Sequence, residues 1–272
     1  MSERLYSAPQ GSDRLAVRRR RGRRRAIIAI FVLLILLCSA VVYGLWQPAV
    51  RISHVEIQGA DESFATIAKE DLQGSYFGII PRDSIFFFPA NRIRADILAA
   101  HPGFAAISIS RSSLTSLSIK TDERVAIARW CGLAPTPGVE PYCYVFDASG
   151  IIFAAAATTT QTINAFIVYA PLEGATEEPL RASIAQAHLL PTAFDFARQL
   201  STLGSPVIAI VFRNDEVDDY FENETRLTYV LGHEQNAYAA LMSARANLNI
   251  GDGSVEYVDL RFDGKIYLKK KK

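Results

Sequence analysis

Four histidines, His54, His101, His188 and His233, are the residues suited to acid–base or metal chemistry near neutral pH, and each stands alone in the sequence. None has a second histidine at metal-ligand spacing, and His101, placed before Pro102, reads as a helix terminator. No Gly-x-Ser-x-Gly elbow, phosphate-binding glycine loop or zinc-protease helix occurs. Asp215, Glu216, Asp218, Asp219 and Glu222 cluster around Tyr220 with carboxylates enough for calcium. They lack the glycine and the ligand spacing of a calcium loop, so they read as a solvated acidic turn. Asn223-Glu224-Thr225 is a glycosylation sequon by pattern only. A chain without a catalytic constellation is expected to be no enzyme, and to hold no metal and no cofactor.

The elements that position everything else begin with Ala26 to Trp46, twenty-one residues without a charge. As a helix this stretch would be roughly 31 Å long, about the hydrocarbon thickness of a bilayer. A buried core helix would show a polar stripe, and this stretch has none. A cleavable signal peptide would stop sooner, yet the apolar run continues past Cys38-Ser39-Ala40 through Val41, Val42 and Leu45. A lipoprotein signal would want a small residue before Cys38, where Leu37 stands. An uncleaved single span is the expectation. Seven arginines between Arg18 and Arg25 precede it, and only Arg51 and Lys69 are basic between the span and Asp71. The N-terminus is therefore expected in the cytoplasm and the rest outside, with Tyr43 and Trp46 at the outer interface. The arginine block reads as a topology signal that also attracts anionic headgroups, and no nucleic acid is expected.

The chain has 272 residues, 50% of them hydrophobic, and a formal net charge of +1. That near-neutral total conceals basic ends and an acidic middle. The sequence divides into a basic tail (1–25), the span (26–46), a first domain with a short tether (47–125), a β-rich domain (126–268) and a lysine tail (269–272). Of the three cysteines, Cys38 lies within the span, while Cys131 and Cys143 flank a segment carrying Pro135, Pro137, Gly138 and Pro141. Outside the membrane these two thiols are free to pair, which would contribute about 3 kcal/mol in a chain-entropy account. The other reading leaves them unpaired at strand ends too far apart to bridge.

Beyond the tether, Val50 to Gly59 reads as a strand with a bulge or a late start. Thr66 to Gly74 reads as a short helix, and Asn91 as the N-cap of a helix over Arg92 to Ala100 with Ile93, Ile97 and Leu98 on one face. Ala105 to Arg111 and Ser116 to Asp122 alternate as strands. Strand, helix, helix, strand, strand is the natural order for helices packed on one face of a small mixed sheet, an α+β class. Further on, strands are expected over Val125 to Trp130, Tyr144 to Ala154 with a turn at Ala148-Ser149-Gly150, Ala165 to Tyr169, Pro206 to Arg213, Glu216 to Phe221 and Arg226 to Leu231. Thr192 is expected to cap a helix reaching about Leu203 with Phe196, Leu200 and Leu203 as its stripe, and Glu234 to Leu248 is the last helix. Val255 to Leu268 reads as two strands around a tight Asp263-Gly264 hairpin.

A basic tail, one span, a module opening with HVEIQG and closing with IKTDERVAIARW, and a late run Tyr257-Val258-Asp259-Leu260-Arg261-Phe262 together resemble the FtsQ/DivIB family of bacterial cell-division proteins. In that family the first module is a POTRA domain, whose first strand carries the apolar-x-apolar-x-Gly pattern matched here by Val55, Ile57 and Gly59. The departures are the proline-bearing Cys131 to Cys143 segment, the long loop from Pro171 to Pro191 and the lysine tail. The resemblance implies a non-catalytic divisome scaffold in the cell membrane at the septum, with FtsB-like and FtsL-like bitopic proteins as partners. The alternative is a POTRA-bearing protein of translocation or envelope assembly.

The expected mode of partner binding is strand addition at the edge of Lys265 to Leu268. Phe262, Ile266, Tyr267 and Leu268 would supply the side-chain anchors and Arg261 a charge contact, so that a proline at Tyr267 would abolish binding. The competing reading has Val258, Leu260 and Phe262 facing the core and lysines blunting the edge from Lys269 onward.

Overall fold

An apolar run with no polar stripe has no face to turn towards a core, and apart from Leu45 near its end, which is buried, its side chains remain largely outside the packed protein. The computed structural model describes residues 11–58, 63–135, 142–157, 159–174, 178–246, 248–262 and 264–271. Helix α1 (Gly11–Leu45) runs through the arginine block and the apolar stretch without a break. Its apolar side chains from Ile27 to Leu37 are exposed, and among the described residues it is the one helix long and apolar enough to cross a membrane.

The rest is α+β and falls into two units, residues 1–97 with 107–121, and residues 98–106 with 122–272. In chain order the first elements are β1 (His54–Gln58), α2 (Ser63–Asp71), a two-stranded ribbon β2 (Ser75–Tyr76) and β3 (Ile80–Pro81), α3 (Ala90–Ala100), β4 (Phe104–Arg111) and β5 (Ser116–Glu123). β5 is central in a sheet of order β1-β5-β4, and β1 pairs with it in parallel, Ile57 beside Ile119. A parallel neighbour needs a crossover, which α2 and α3 provide. Phe64, Ala68, Ile93, Ile97, Leu117 and Ile119 are buried together with Ile107. β1 begins late, as its phase change implies. Gly59 lies outside the described residues. Asn91 is not an N-cap: the helix starts one residue earlier, straight after Pro89, and the Asn91 Oδ1 accepts from the Arg94 guanidinium at 3.0 Å.

The second unit contains β6 (Ala128–Trp130), β7 (Tyr144–Phe146), β8 (Ile152–Ala155), β9 (Ile167–Tyr169), α4 (Leu190–Ser201), β10 (Val207–Arg213), β11 (Glu216–Phe221), β12 (Arg226–Val230), α5 (Glu234–Ala244), β13 (Val255–Asp259) and β14 (Tyr267–Lys270). Its strands form one nine-stranded mixed sheet, β14-β13-β12-β11-β10-β9-β6-β7-β8. One face meets α4 and α5 in the main core. Leu190, Ala193, Phe194, Ala197 and Leu200 recur at helical spacing and are buried there, and the Phe196 ring stands edge-on to Tyr229 at 4.8 Å. Thr192 does not cap α4. Pro191 occupies the first turn, where its missing N–H is harmless, and Thr192 follows inside the helix. The other face carries a small cluster of Tyr169, Val211 and Cys131, with Cys131 disulfide-bonded to Cys143 at a Cα–Cα distance of 4.3 Å. Residues 136–141 between the two cysteines lie outside the described residues.

The sequon tripeptide has a packing role. Asn223 Nδ2 donates to the Ile250 carbonyl at 2.8 Å, and the buried Thr225 hydroxyl donates to the Val255 carbonyl at 2.8 Å. Gly251 lies against the end of α4, where a Cβ would come within 2.7 Å of the Leu203 carbonyl oxygen and 2.8 Å of Gly204 Cα. Both neighbours are backbone and have no rotamer to yield. Gly251→Ala is expected to lower stability by about 1–3 kcal/mol, the usual cost of overpacking. Urea unfolding checks this, and an unchanged midpoint would show that the turn relaxes freely.

Candidate partner-binding edge

An open sheet ends in two strands, each with one row of backbone groups turned away from the ladder. At the β8 end the chain covers the start of that row itself, at Gly150 to Ile152. The Ile152 N–H donates to the Ala182 carbonyl at 3.0 Å, the Arg181 N–H to the Ile152 carbonyl at 2.7 Å, and the Ile184 N–H to the Gly150 carbonyl at 2.9 Å. The described part of the long loop between Pro171 and Pro191 thus serves as an edge cover, a role its composition does not announce. At the β14 end, among the described residues, no segment pairs with the outer side.

The register of β14 defines what this open edge presents. It pairs antiparallel with β13, Tyr267 opposite Asp259, Leu268 opposite Val258 and Lys269 opposite Tyr257. The Lys271 N–H donates inward to the Ser254 carbonyl at 2.9 Å. Amide directions alternate along a strand, so Tyr267 and Lys269 also turn inward, and Leu268 and Lys270 point their N–H and C=O outward. Directly opposed residues share a face. Leu268 therefore lies on the face of fully buried Val258 and continues the core surface to the rim, where it is 42% exposed.

Several expected site residues are placed differently. The strand covers Tyr267–Lys270 and not Lys265 to Leu268, so two of the lysines read as a tail are ladder residues. Lys269 pairs with Glu256 at 2.7 Å, and the Lys271 Nζ donates to the Asn223 carbonyl at 2.7 Å. Lys265 is exposed in the turn. β13 ends at Asp259, so the connection runs from Leu260 to Ile266 and no two-residue hairpin forms; Asp263 lies outside the described residues. Ile266 packs against the main core and is not a free anchor. Leu260 and Val258 are buried, whereas Phe262 is 51% exposed and stands edge-on to Tyr267 at 5.3 Å. A proline at Tyr267 would remove a donor from the hairpin itself, which makes that substitution a poor probe of the outer edge.

Arg261 is already engaged within the protein. Its guanidinium holds Asp259 at 2.7 Å and Glu216 at 2.5 Å, tying the turn after β13 to the start of β11. Hydrogen bonds to Asp259 and Glu216 push the arginine further above its ordinary value, and the same bond to Asp259 is the largest cause of that carboxyl's lowered pKa, against the opposing effect of burial. The pair is partly exposed, and its net contribution to stability is about 1 kcal/mol at most. A depressed carboxyl contributes stability that is present above the unfolded value of about 4 and is lost as pH falls through the folded value. Arg261→Gln is therefore expected to move the Asp259 titration upward in a carboxyl-resolved NMR titration. No movement would mean that the guanidinium does not hold it.

The acidic cluster is a solvated turn only at Asp215 and Glu222, which are exposed on either side of a strand. Glu216 to Phe221 is β11, between β10 and β12, and Asp218 and Asp219 are both buried on opposite faces of it. Asp218 is well supplied, accepting from the Thr228 hydroxyl at 2.6 Å and pairing with Arg213 at 2.6 Å. Asp219 shares the core face with Val217 and Phe221, and neither of its oxygens has a hydrogen-bond partner; the Tyr229 hydroxyl also lacks one. Burial, then the nearby Asp218 and Glu234 charges, push Asp219 well above the usual carboxyl range. Among the described residues no group of histidine, cysteine and carboxylate side chains is arranged to hold a metal ion. For a raised pKa the sign is reversed: stability is full below the unfolded value and falls as pH rises towards the folded one. Asp219→Asn, which cannot ionise, is expected to gain on the wild type by about 1.4 kcal/mol per pH unit across that window. Parallel unfolding curves at every pH would contradict the assignment.

No protein-family model matches the chain, and no curated protein matches it.

Proposed function

We propose that this protein is a non-catalytic, single-pass scaffold of the bacterial divisome, built like FtsQ/DivIB proteins. In this reading α1 spans the cell membrane with its arginine-rich end in the cytoplasm. The first unit is a POTRA domain, and the second, extracytoplasmic and disulfide-bonded, binds small bitopic FtsB-like and FtsL-like proteins at the septum. The support is the order of parts: an arginine-rich start, one apolar helix, a strand-helix-helix-strand-strand unit, and a β-rich unit whose YVDLRF run leads into a terminal strand.

The observation that carries the reading is the asymmetry of the nine-stranded sheet, capped by its own loop where β8 begins and open along β14. An open edge invites strand addition. The outward amides of Leu268 and Lys270 would pair with a partner strand, Leu268 would meet an apolar side chain on the core face, and the Phe262–Tyr267 pair would form an aromatic contact on the rim. Lys265 and Lys270 make this rim basic, so the partner strand is expected to be acidic there. Arg261 positions the turn. Anchoring both proteins in one membrane raises the effective concentration, so a short ladder suffices.

Proline is tolerated at an edge strand when its missing N–H faces solvent. Leu268→Pro should therefore leave the unfolding midpoint nearly unchanged and abolish recovery of the bitopic partners by the full chain, while Leu268→Ala should weaken recovery only partly. Partner recovery unaffected by Leu268→Pro would sink strand addition at this edge. A fluorescent fusion should gather at midcell in dividing cells. A uniform membrane signal would favour envelope assembly or translocation over division.

A further inference from the structure

The ribbon β2–β3 closes on a tight turn, the Ile79 N–H donating to the Tyr76 carbonyl at 3.0 Å, and places an aromatic where such turns favour Asn, Asp or Gly. Its turn is Phe77-Gly78-Ile79, with Phe77 at φ 53° and Gly78 at φ 73°. Glycine adopts such a backbone freely, but a bulky aromatic is an outlier there. Phe77 is nevertheless 97% exposed, and Ile79 is 53% exposed. A strained backbone that delivers an apolar ring into solvent is unfavourable on two counts, which points to a function outside the chain's own packing.

The position of the tip indicates what it meets. Trp46, directly after the last residue of α1, donates its indole N–H to the Ile79 carbonyl at 2.8 Å. This bond fixes the ribbon tip beside the outer end of α1. A second exposed pair, Phe86 and Phe87, follows the segment that bonds to the tether, where Ile85 N–H donates to the Val50 carbonyl at 3.0 Å. Arg82 lies over the Tyr76 ring at 5.5 Å and, among the described residues, forms no ion pair. Aromatic rings bounded by an unpaired guanidinium are the composition of a membrane–water interface: rings at headgroup depth, the cation towards phosphate.

We propose that the Phe77–Ile79 turn is a second membrane contact, inserted into the headgroup and upper acyl layer of the bilayer that α1 spans. The occupant is lipid. The inference rests on the reading of α1 as a span. Two contacts, α1 and the turn, hold the first unit at a set tilt, and a rigid tilt is what a partner in the same plane would need to meet.

The test uses the full chain in nanodiscs containing phosphatidylcholine and phosphatidylglycerol. An environment-sensitive fluorophore is attached at Phe77→Cys, or separately at Ile79→Cys, in a Cys38→Ser background with the Cys131–Cys143 disulfide intact. Lys120→Cys, paired with Gln58 at the far end of β1, is the control. Native Cys38 is labelled in the otherwise unchanged chain. Lipids with a doxyl quencher near the headgroup should lower emission at Phe77 and Ile79 by about twofold, as for side chains buried about 5–10 Å into the headgroup boundary, and leave Lys120 unchanged. Lipids with the quencher near the chain middle should quench Cys38. Quenching at Cys38 with Phe77 and Ile79 behaving like Lys120 overturns this inference and leaves the span intact. Cys38 untouched by either quencher overturns the span and this inference with it.

Discussion

Every backbone amide in a sheet must find a partner, and a nine-stranded open sheet cannot satisfy its two outermost rows from within. The second unit meets this constraint in two ways. Where β8 begins it folds residues 181–184 back as a cover. At β14 it leaves the outer row facing outward, with the inner row held by a register that Val258 and Leu260 pin into the core. The proposed role of the unit depends on this difference between its ends.

The rest of the unit keeps the open end in a defined shape. Burial along α4 and α5 supplies the main stabilisation and fixes which face of each strand is inward, because a slip of one residue would expose Val258 and bury Asp259. Arg261 adds direction by clamping the turn to β11. Asp219 works the other way, since a carboxyl without a partner costs stability unless it stays protonated.

Local pattern made much of this legible. The late start of β1, the inward Ile107 of β4 and the Phe196 and Leu200 stripe of α4 follow from periodicities that burial enforces. By contrast, β5 buries Ser116 and Ser118 beside Leu117 and Ile119, α4 stops before Leu203, and the last helix stops at Ala244, short of Leu248. The misplacements have specific causes. Asn91 and Thr192 look like caps, but Pro89 and Pro191 set the helix starts. Asp218 and Asp219 look solvated because charge density suggests a turn, whereas pairing on both sides by β10 and β12 makes β11 an interior strand. Lys269 and Lys270 read as tail because their side chains need water, yet their backbones continue a ladder with Val255 and Tyr257. Asp263-Gly264 suggests a tight hairpin, but Ile266 is drawn onto the core and lengthens the connection. Long-range pairing decides these cases, and a window of neighbouring residues does not contain it. The cover at β8 is invisible in sequence for the same reason.

In the proposed mode of binding, β14 offers its outer backbone row to a partner strand. Residue-resolved amide hydrogen exchange on the membrane-reconstituted protein, with and without the bitopic partner, tests it most directly. Strong new protection is expected at Leu268 and Lys270, with the already inward amides of Tyr267 and Lys269 changing little. A bound partner that leaves Leu268 and Lys270 exchanging at their free rates would contradict it.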